Sequence, residues 1–189
     1  MKKCIAMILA LTLVMGLAAC GKKEDNKVTN ENAPKDALEI LTNIWNGIPE
    51  DKRFYAMGGD AANPAENAPG NYSLTDEGLT ATLLVPAQQI ENIDQAASLM
   101  HGMMANHFTG AAFHMAEGKS AEDFTKALRE TVVSNRWLCG MPEHFTIATI
   151  GGEYVLFYYG INNVIEPFVN SFKAAYPDAV INYDEAITE

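Results

Sequence analysis

Apolar residues in the C-terminal half of the chain recur with two different spacings. A period of two predicts strands, and apolar residues at i, i+3, i+4 and i+7 predict amphipathic helices. Gly151-Gly152 separates two of the strands and is typical of a hairpin turn. In chain order, the spacing predicts a strand at 109–115, a helix at 121–137, strands at 145–150 and 154–159, a helix at 165–176 and a short strand at 179–182.

This β-α-β-β-α-β order predicts an α+β fold of the ferredoxin-like, split βαβ type. In that arrangement both helices pack on one face of an antiparallel sheet. The strand predicted at 154–159 is apolar on both of its faces, which favours a central strand covered on both sides. The open face then needs a cover, and the N-terminal segment, a second copy of the chain and a ligand are the three options.

The preceding segment, residues 34–104, reads as helical and rich in loops. Helical spacing runs from Pro34 to Ile48, and residues 58–76 are crowded with Gly, Asn, Pro and Asp, which predicts a long loop. Residues 79–85 are predicted as a strand and residues 90–104 as a mostly helical stretch.

The N-terminus has the order of features found in bacterial export signals. Two lysines precede an apolar run at residues 4–19, which is short for a membrane span, since a span needs about 20 residues. The run ends in Leu17-Ala18-Ala19-Cys20-Gly21, which resembles the bacterial lipobox. The resemblance implies cleavage before Cys20 and attachment of lipid to its thiol.

The chain therefore divides into a lipoprotein signal peptide (1–19), a flexible polar tether (20–33) and one α+β domain (34–189). Within the domain, residues 105–189 hold the β-α-β-β-α-β order. The expected location is the cell membrane, with the domain on the extracytoplasmic face and the N-terminal lipid in the bilayer.

Charge and cysteine content narrow the functional classes. The formal charge is −11, and removal of the two lysines in residues 1–19 makes it −13, which argues against nucleic acid as a partner. After processing only Cys20 and Cys139 remain, so no disulfide is expected within the lipidated chain. Cys139 is expected to be a small buried side chain, with a reactive thiol as the alternative.

Several C-terminal segments resemble a domain of unknown function found in Gram-positive lipoproteins. They are the stretch from Met103 to Met115, the helix at 121–137 and the strand that begins Gly152-Glu153-Tyr154-Val155-Leu156. The likeness rests on apolar spacing and on the tether. That family has no assigned activity, so the resemblance implies no functional residues.

A stretch rich in methionine and histidine raises the question of metal binding. If residues 100–115 formed one helix, Met103, Met104, His107 and His114 would share a stripe, and thioethers with imidazoles suit Cu(I). The alternation after residue 109 favours a strand, which would scatter these side chains. The leading interpretation includes no cofactor, and copper or haem handling is the alternative function.

One strand face carries a candidate ligand surface. Tyr154, Leu156 and Tyr158 point to the same side and could stack on a sugar or another ring, provided that no other segment covers them. If the N-terminal segment packs there, they belong to the core. Glu143 and His144 are sequence neighbours at a strand start, so their side chains are expected to point apart.

The sequence contains none of the common catalytic signatures. HExxH, paired CxxC, GxSxG and the Walker loop are all absent. An enzyme therefore has no positive support, and the leading hypothesis is a non-enzymatic lipoprotein that binds a small ligand or an envelope partner. A homodimer is a further option.

Overall fold

An antiparallel sheet of eight strands organises the folded chain, which this computed structural model describes for residues 33–75, 77–103, 107–137 and 140–188. The strands are β1 (Ala56–Gly58), β2 (Ala65–Glu66), β3 (Gly70–Asn71), β4 (Ile93–His101), β5 (Phe108–Met115), β6 (His144–Ile150), β7 (Tyr154–Gly160) and β8 (Val180–Ala186). The order across the sheet is β2-β1-β4-β5-β7-β6-β8, and β3 also pairs with β4.

Four α-helices accompany the sheet in the described ranges. They are α1 (Ala37–Gly47), α2 (Gly78–Ala81), α3 (Ala121–Ser134) and α4 (Asn162–Ala175), and two short 3-10 helices cover Glu50–Lys52 and Ala87–Asn92. Helix α3 begins at residue 121, as predicted, and the hydroxyl of Ser120 caps it by accepting a hydrogen bond from the backbone N–H of Asp123 at 3.2 Å. None of the described helices is long and apolar enough to cross a membrane.

Helices cover both faces of the sheet. One face, which carries Leu156 and Tyr158, packs against α1 and α4. The other face carries Val155 and Phe157 and packs against α3 and the apolar residues of segment 72–85. The N-terminal segment thus packs on both faces of the sheet, with α1 on one face and segment 72–85 on the other. As a result, β7 is buried along its whole length.

The mixed α+β class is confirmed, whereas the ferredoxin-like strand pairing is not observed. From β5 onward the elements do follow the predicted β-α-β-β-α-β order. In a ferredoxin-like sheet β8 would pair with β5. Here β8 pairs with β6 at the opposite edge, and β4 from the N-terminal segment occupies the place beside β5.

The handedness of strand crossovers explains why the helices lie on opposite faces. The crossover from β5 to β6 passes over β7, and the crossover from β7 to β8 passes over β6 in the same direction across the sheet. Both crossovers move across the sheet in the same direction, but they start from strands β5 and β7, which are antiparallel. If both crossovers are right-handed, α3 and α4 must therefore lie on opposite faces of the sheet. The position of β8 therefore determines which face α4 covers.

Two predictions for the N-terminal segment were wrong. Residues 79–85 form α2 and a turn in which Leu84 has a left-handed φ of 57°, instead of a strand. Residues 90–104 were predicted as mostly helical, but β4 occupies Ile93–His101. This strand is buried on both faces at its centre, so its sequence lacks the alternation that marks a half-exposed strand.

An ion pair ties the edge strand β8 to α3. The guanidinium of Arg129 donates two hydrogen bonds to the carboxylate of Glu185, at 2.7 and 2.9 Å, and lies over the ring of Tyr183. Tyr183 and Glu185 therefore face α3. Since side chains alternate along a strand, Asp184 between them faces α4.

The carboxylate of Asp60 organises the turn that leads from β1 towards β2 and β3. Its Oδ1 accepts hydrogen bonds from the backbone N–H groups of Ala62 and Asn63 at 2.9 and 2.8 Å, and its Oδ2 accepts one from Ser73 at 2.8 Å. The backbone N–H groups of Ser73 and Asn63 lower the pKa of Asp60 below its ordinary 3.8, although burial opposes them.

Replacing Asp60 by asparagine is expected to lower stability most at neutral pH. The folded pKa lies below the unfolded one, so the charged carboxylate stabilises the fold above about pH 4, and this contribution is lost as the pH falls through the folded pKa. The urea concentration at the midpoint of unfolding should therefore be lower for Asp60→Asn than for the parent at neutral pH. The two midpoints should become equal as the pH is lowered. Asp178→Asn, at an exposed aspartate, is the control. A gap between the parent and Asp60→Asn that is independent of pH would contradict this prediction.

Candidate functional site

A polar group of side chains lies where β6 pairs with β8. The register sets Thr146 opposite Asp184, and His144 lies two residues from Thr146 on the same face of β6. Tyr158 is directly opposite Thr146 on the neighbouring strand β7. Three strands therefore bring four polar side chains to the sheet face that α4 covers.

Three of these side chains are joined by hydrogen bonds to the carboxylate of one of them. Oδ1 of Asp184 accepts from Nε2 of His144 at 2.6 Å and from the hydroxyl of Thr146 at 2.8 Å. Tyr158 lies directly opposite Thr146 in the register of β6 and β7. The second oxygen of Asp184, Oδ2, has no hydrogen bond to another described residue.

The surroundings set the charge of this group. Burial raises the pKa of Asp184, but the hydrogen bonds from His144 and Thr146 and the positive charge of Lys173 outweigh it, so the pKa lies below its ordinary 3.8. Burial raises the pKa of Tyr158 to about 12. At neutral pH the site therefore presents a charged carboxylate beside a protonated phenol.

The polar group lines a cleft of about 330 Å³ between α4 and the strands β6, β7 and β8. Helix α4 supplies the charged side chains of Glu166 and Lys173 and the amides of Asn162 and Asn170. The apolar part of the lining comes from Ile165, Val169, Phe172 and Ile181. The lining of the cleft thus combines apolar side chains with charges of both signs.

Local sequence explains why α4 stands beside these strands. The helix follows β7 directly, and its first backbone N–H, that of Asn162, donates to the carboxylate of Glu143 at 2.8 Å. Glu143 precedes β6, so this bond fixes the start of α4 next to His144. Glu143 and His144 have different partners, and the acidic partner of His144 is Asp184.

A larger groove of about 730 Å³ runs between α1 and α4. Two of its polar side chains are already bonded within the protein, because Asn43 donates to the hydroxyl of Tyr176 and Ser171 donates to the carbonyl of Ile44. The smaller cleft contains an oriented carboxylate with a free oxygen. We therefore regard the cleft, and not the larger groove, as the candidate site.

The candidate ligand surface predicted from sequence lies in the core. Leu156 is fully buried, and Tyr154 and Tyr158 are 7% and 2% exposed, because α1 and α4 cover the face that they share. No ring of these residues is open for stacking. Tyr158 is nevertheless one of the residues that line the cleft.

The residues of the predicted metal stripe are separated by the strand that contains them. His107 and His114 lie at opposite ends of β5, about 23 Å apart at 3.3 Å per residue, so they cannot bind one ion. His114 pairs with Asp94 at 2.5 Å and packs against Tyr154. Met103 is exposed after β4, and Met104 lies outside the described residues.

Other predicted positions lie beyond the described ranges. Cys20, the proposed lipidation residue, and Cys139 are both outside them.

His107 lines a separate cleft of about 420 Å³ with Trp137 and Tyr159. Among the described residues, no group of three or more His, Cys, Asp or Glu side chains is placed to hold a metal ion.

Fold and cleft together define a mixed α+β protein with an amphipathic cleft near one edge of its sheet. Comparisons with protein-family models, with curated proteins and with solved structures find no match to this chain. The lipobox and the resemblance to a domain of Gram-positive lipoproteins therefore stay predictions from the sequence.

Sequence reasoning missed Thr146 and Asp184. The last strand was predicted to end at residue 182, so Asp184 fell outside it. The spacing of His144 and Thr146, two polar residues at i and i+2 in a strand that is otherwise apolar except for Thr149, was an available signal for a polar spot on the α4 face.

Proposed function

We propose that this protein is a membrane-anchored extracytoplasmic lipoprotein that binds a small polar ligand without catalysing a reaction. The N-terminal pattern supports the anchor, and the cleft beside α4 supports the binding role. The observation that carries the binding role is the carboxylate of Asp184. Two donors hold its Oδ1, and its side chain is 61% exposed, so a ligand in the cleft can reach Oδ2.

These hydrogen bonds do not include the hydroxyl–imidazole pair of a typical catalytic nucleophile. A catalytic hydroxyl has to give its proton to a neighbouring base, usually a histidine. Thr146 instead donates to Asp184, and its bond does not involve His144. The imidazole and the hydroxyl therefore act together to orient the carboxylate, which suits ligand binding.

Filling the cleft should abolish binding without unfolding the protein. Val169 of α4 lines the cleft and is partly buried, so tryptophan at this position would occupy ligand space. Full-length protein purified in detergent would be screened by thermal shift against amino acids, monosaccharides and nucleosides. A ligand at 100 times its Kd stabilises a protein by about 2.7 kcal/mol, so binding would be visible in such a screen.

The control is Val133→Trp, at an exposed valine of α3 on the other side of the sheet. We expect at least one compound to stabilise the parent and Val133→Trp but not Val169→Trp. A screen in which no compound stabilises the parent, or in which Val169→Trp responds like the parent, would overturn the binding role of the cleft.

A further inference from the structure

We infer that the cleft takes a small zwitterion with an apolar body, of the size and kind of an aliphatic amino acid. This inference rests on the proposed binding function and adds the class of ligand. Its basis is the set of donors, acceptors and apolar side chains that line the cleft.

The acceptors in the cleft match a primary ammonium group. Oδ2 of Asp184 is free, and Glu166 has no hydrogen bond or ion pair with another described residue. An ammonium group carries three N–H donors, so these two carboxylates could accept two of them and leave the third to water.

Lys173 supplies the opposite charge. It lies two turns after Glu166 on α4, about 10 Å further along the helix axis. Its charge acts on Asp184 and contributes to the low pKa of that carboxyl, so it lies near the same cleft. A ligand carboxylate bound by Lys173 would neutralise the positive charge of this lysine. A purely cationic ligand would instead face that charge with no group to pair with it.

Other ligand classes fit the lining less well. Two carboxylates against one lysine disfavour phosphates and other anions. The aromatic rings in the lining, Tyr158 and Phe172, are 2% and 1% exposed, so a sugar would find no ring to stack on. A volume of about 330 Å³ is at the low end for ligand pockets and suits a single small molecule.

The apolar lining indicates the body of the ligand. Ile165 and Val169 on α4 face Ile181 of β8 across the cleft, and Ile181 is 45% exposed. A branched aliphatic group placed between them would remove this apolar surface from water. L-leucine combines such a group with an ammonium and a carboxylate, and it serves as the probe.

The test compares three molecules that differ by one charged group, by calorimetry on the full chain in detergent. L-leucine carries both charges, 3-methylbutylamine lacks the carboxylate, and 4-methylpentanoate lacks the ammonium. We expect L-leucine to bind, and each analogue to bind at least about tenfold more weakly, because a hydrogen-bonded charge is lost.

Two variants test which residue of the cleft binds each charged group of the ligand. Glu166→Gln should weaken the binding of L-leucine and of 3-methylbutylamine by about tenfold or more. Lys173→Met should weaken the binding of L-leucine and leave the binding of 3-methylbutylamine unchanged. Glu130→Gln and Lys126→Met, both exposed on α3, are the matched controls and should bind like the parent.

Equal binding of 3-methylbutylamine and L-leucine would replace the zwitterion by a simple cation and overturn the inference. Failure of all three molecules would overturn it as well. If another compound still stabilised the parent but not Val169→Trp, the binding function would stand and only the ligand class would be wrong.

Discussion

Replacing Cys20 by serine is expected to abolish lipid attachment completely. The proposed lipid is joined through a thioether, which only the thiol of Cys20 can form. The apolar run at residues 4–19 would then stay on the chain as an unprocessed precursor. Growth with an alkyne-tagged fatty acid, followed by gel fluorescence and intact mass, measures both the lipid and the mass of the retained signal.

Cys139→Ser is the matched control, because it removes a thiol that the lipobox pattern does not include. It should carry as much label as the parent. Label retained in Cys20→Ser would show that the resemblance to a lipobox is misleading, and the proposed anchor would have to be abandoned. Because lipid chains contribute about 0.8 kcal/mol per buried CH₂, the parent should also stay with membranes after a high-salt wash.

Replacing Leu156 by alanine is expected to lower the free energy of unfolding by about 2–5 kcal/mol. Leu156 is fully buried in the central strand β7, between the sheet and the layer of α1 and α4. Removing its side chain leaves a cavity that rigid neighbours on both sides cannot fill. Urea unfolding of the purified full chain, followed by tryptophan fluorescence, gives the difference.

Val133→Ala is the control for this experiment, since Val133 is 59% exposed on α3. Its effect should stay within about 0.5 kcal/mol of zero. A Leu156→Ala protein as stable as the parent would mean that this face of the sheet is open, and the ligand surface first predicted for Tyr154, Leu156 and Tyr158 would return.

The C-terminal elements were predictable because local signals agree there. Gly151 and Gly152 both have positive φ in the turn between β6 and β7, as the predicted hairpin requires. The apolar residues of α4 that the sequence placed at helical spacing, among them Ile165, Phe168 and Phe172, are buried against the sheet. Short-range spacing was sufficient for these elements.

Strand β4 was not predictable from local spacing. At its centre Ala96, Ala97, Ser98 and Leu99 are all buried, so period-two alternation is missing and alanine and leucine favour a helix. The segment is a strand because β1 and β3 pair with one of its edges and β5 with the other. These pairings join residues distant in sequence, and the gain from burial exceeds the local helix propensity.

The candidate site depends even more on distant contacts. Asp184 comes 38 residues after Thr146 and 40 after His144, and only the register of β8 on β6 joins them. Had β8 paired with β5, as a ferredoxin-like sheet requires, Asp184 would lie at another edge. The charged residues of α4 would then have no carboxylate opposite them.

The sequence by itself determined the elements from β5 onward, the expected anchor at Cys20 and the absence of common catalytic motifs. Only the tertiary structure decided that β8 pairs with β6, that α4 therefore covers the face opposite α3, and that Asp184 meets His144 there. The physical reason is the range of the interactions. Periodicity reports which side of one element is apolar, whereas strand order depends on hydrogen bonds and burial between segments far apart in the chain.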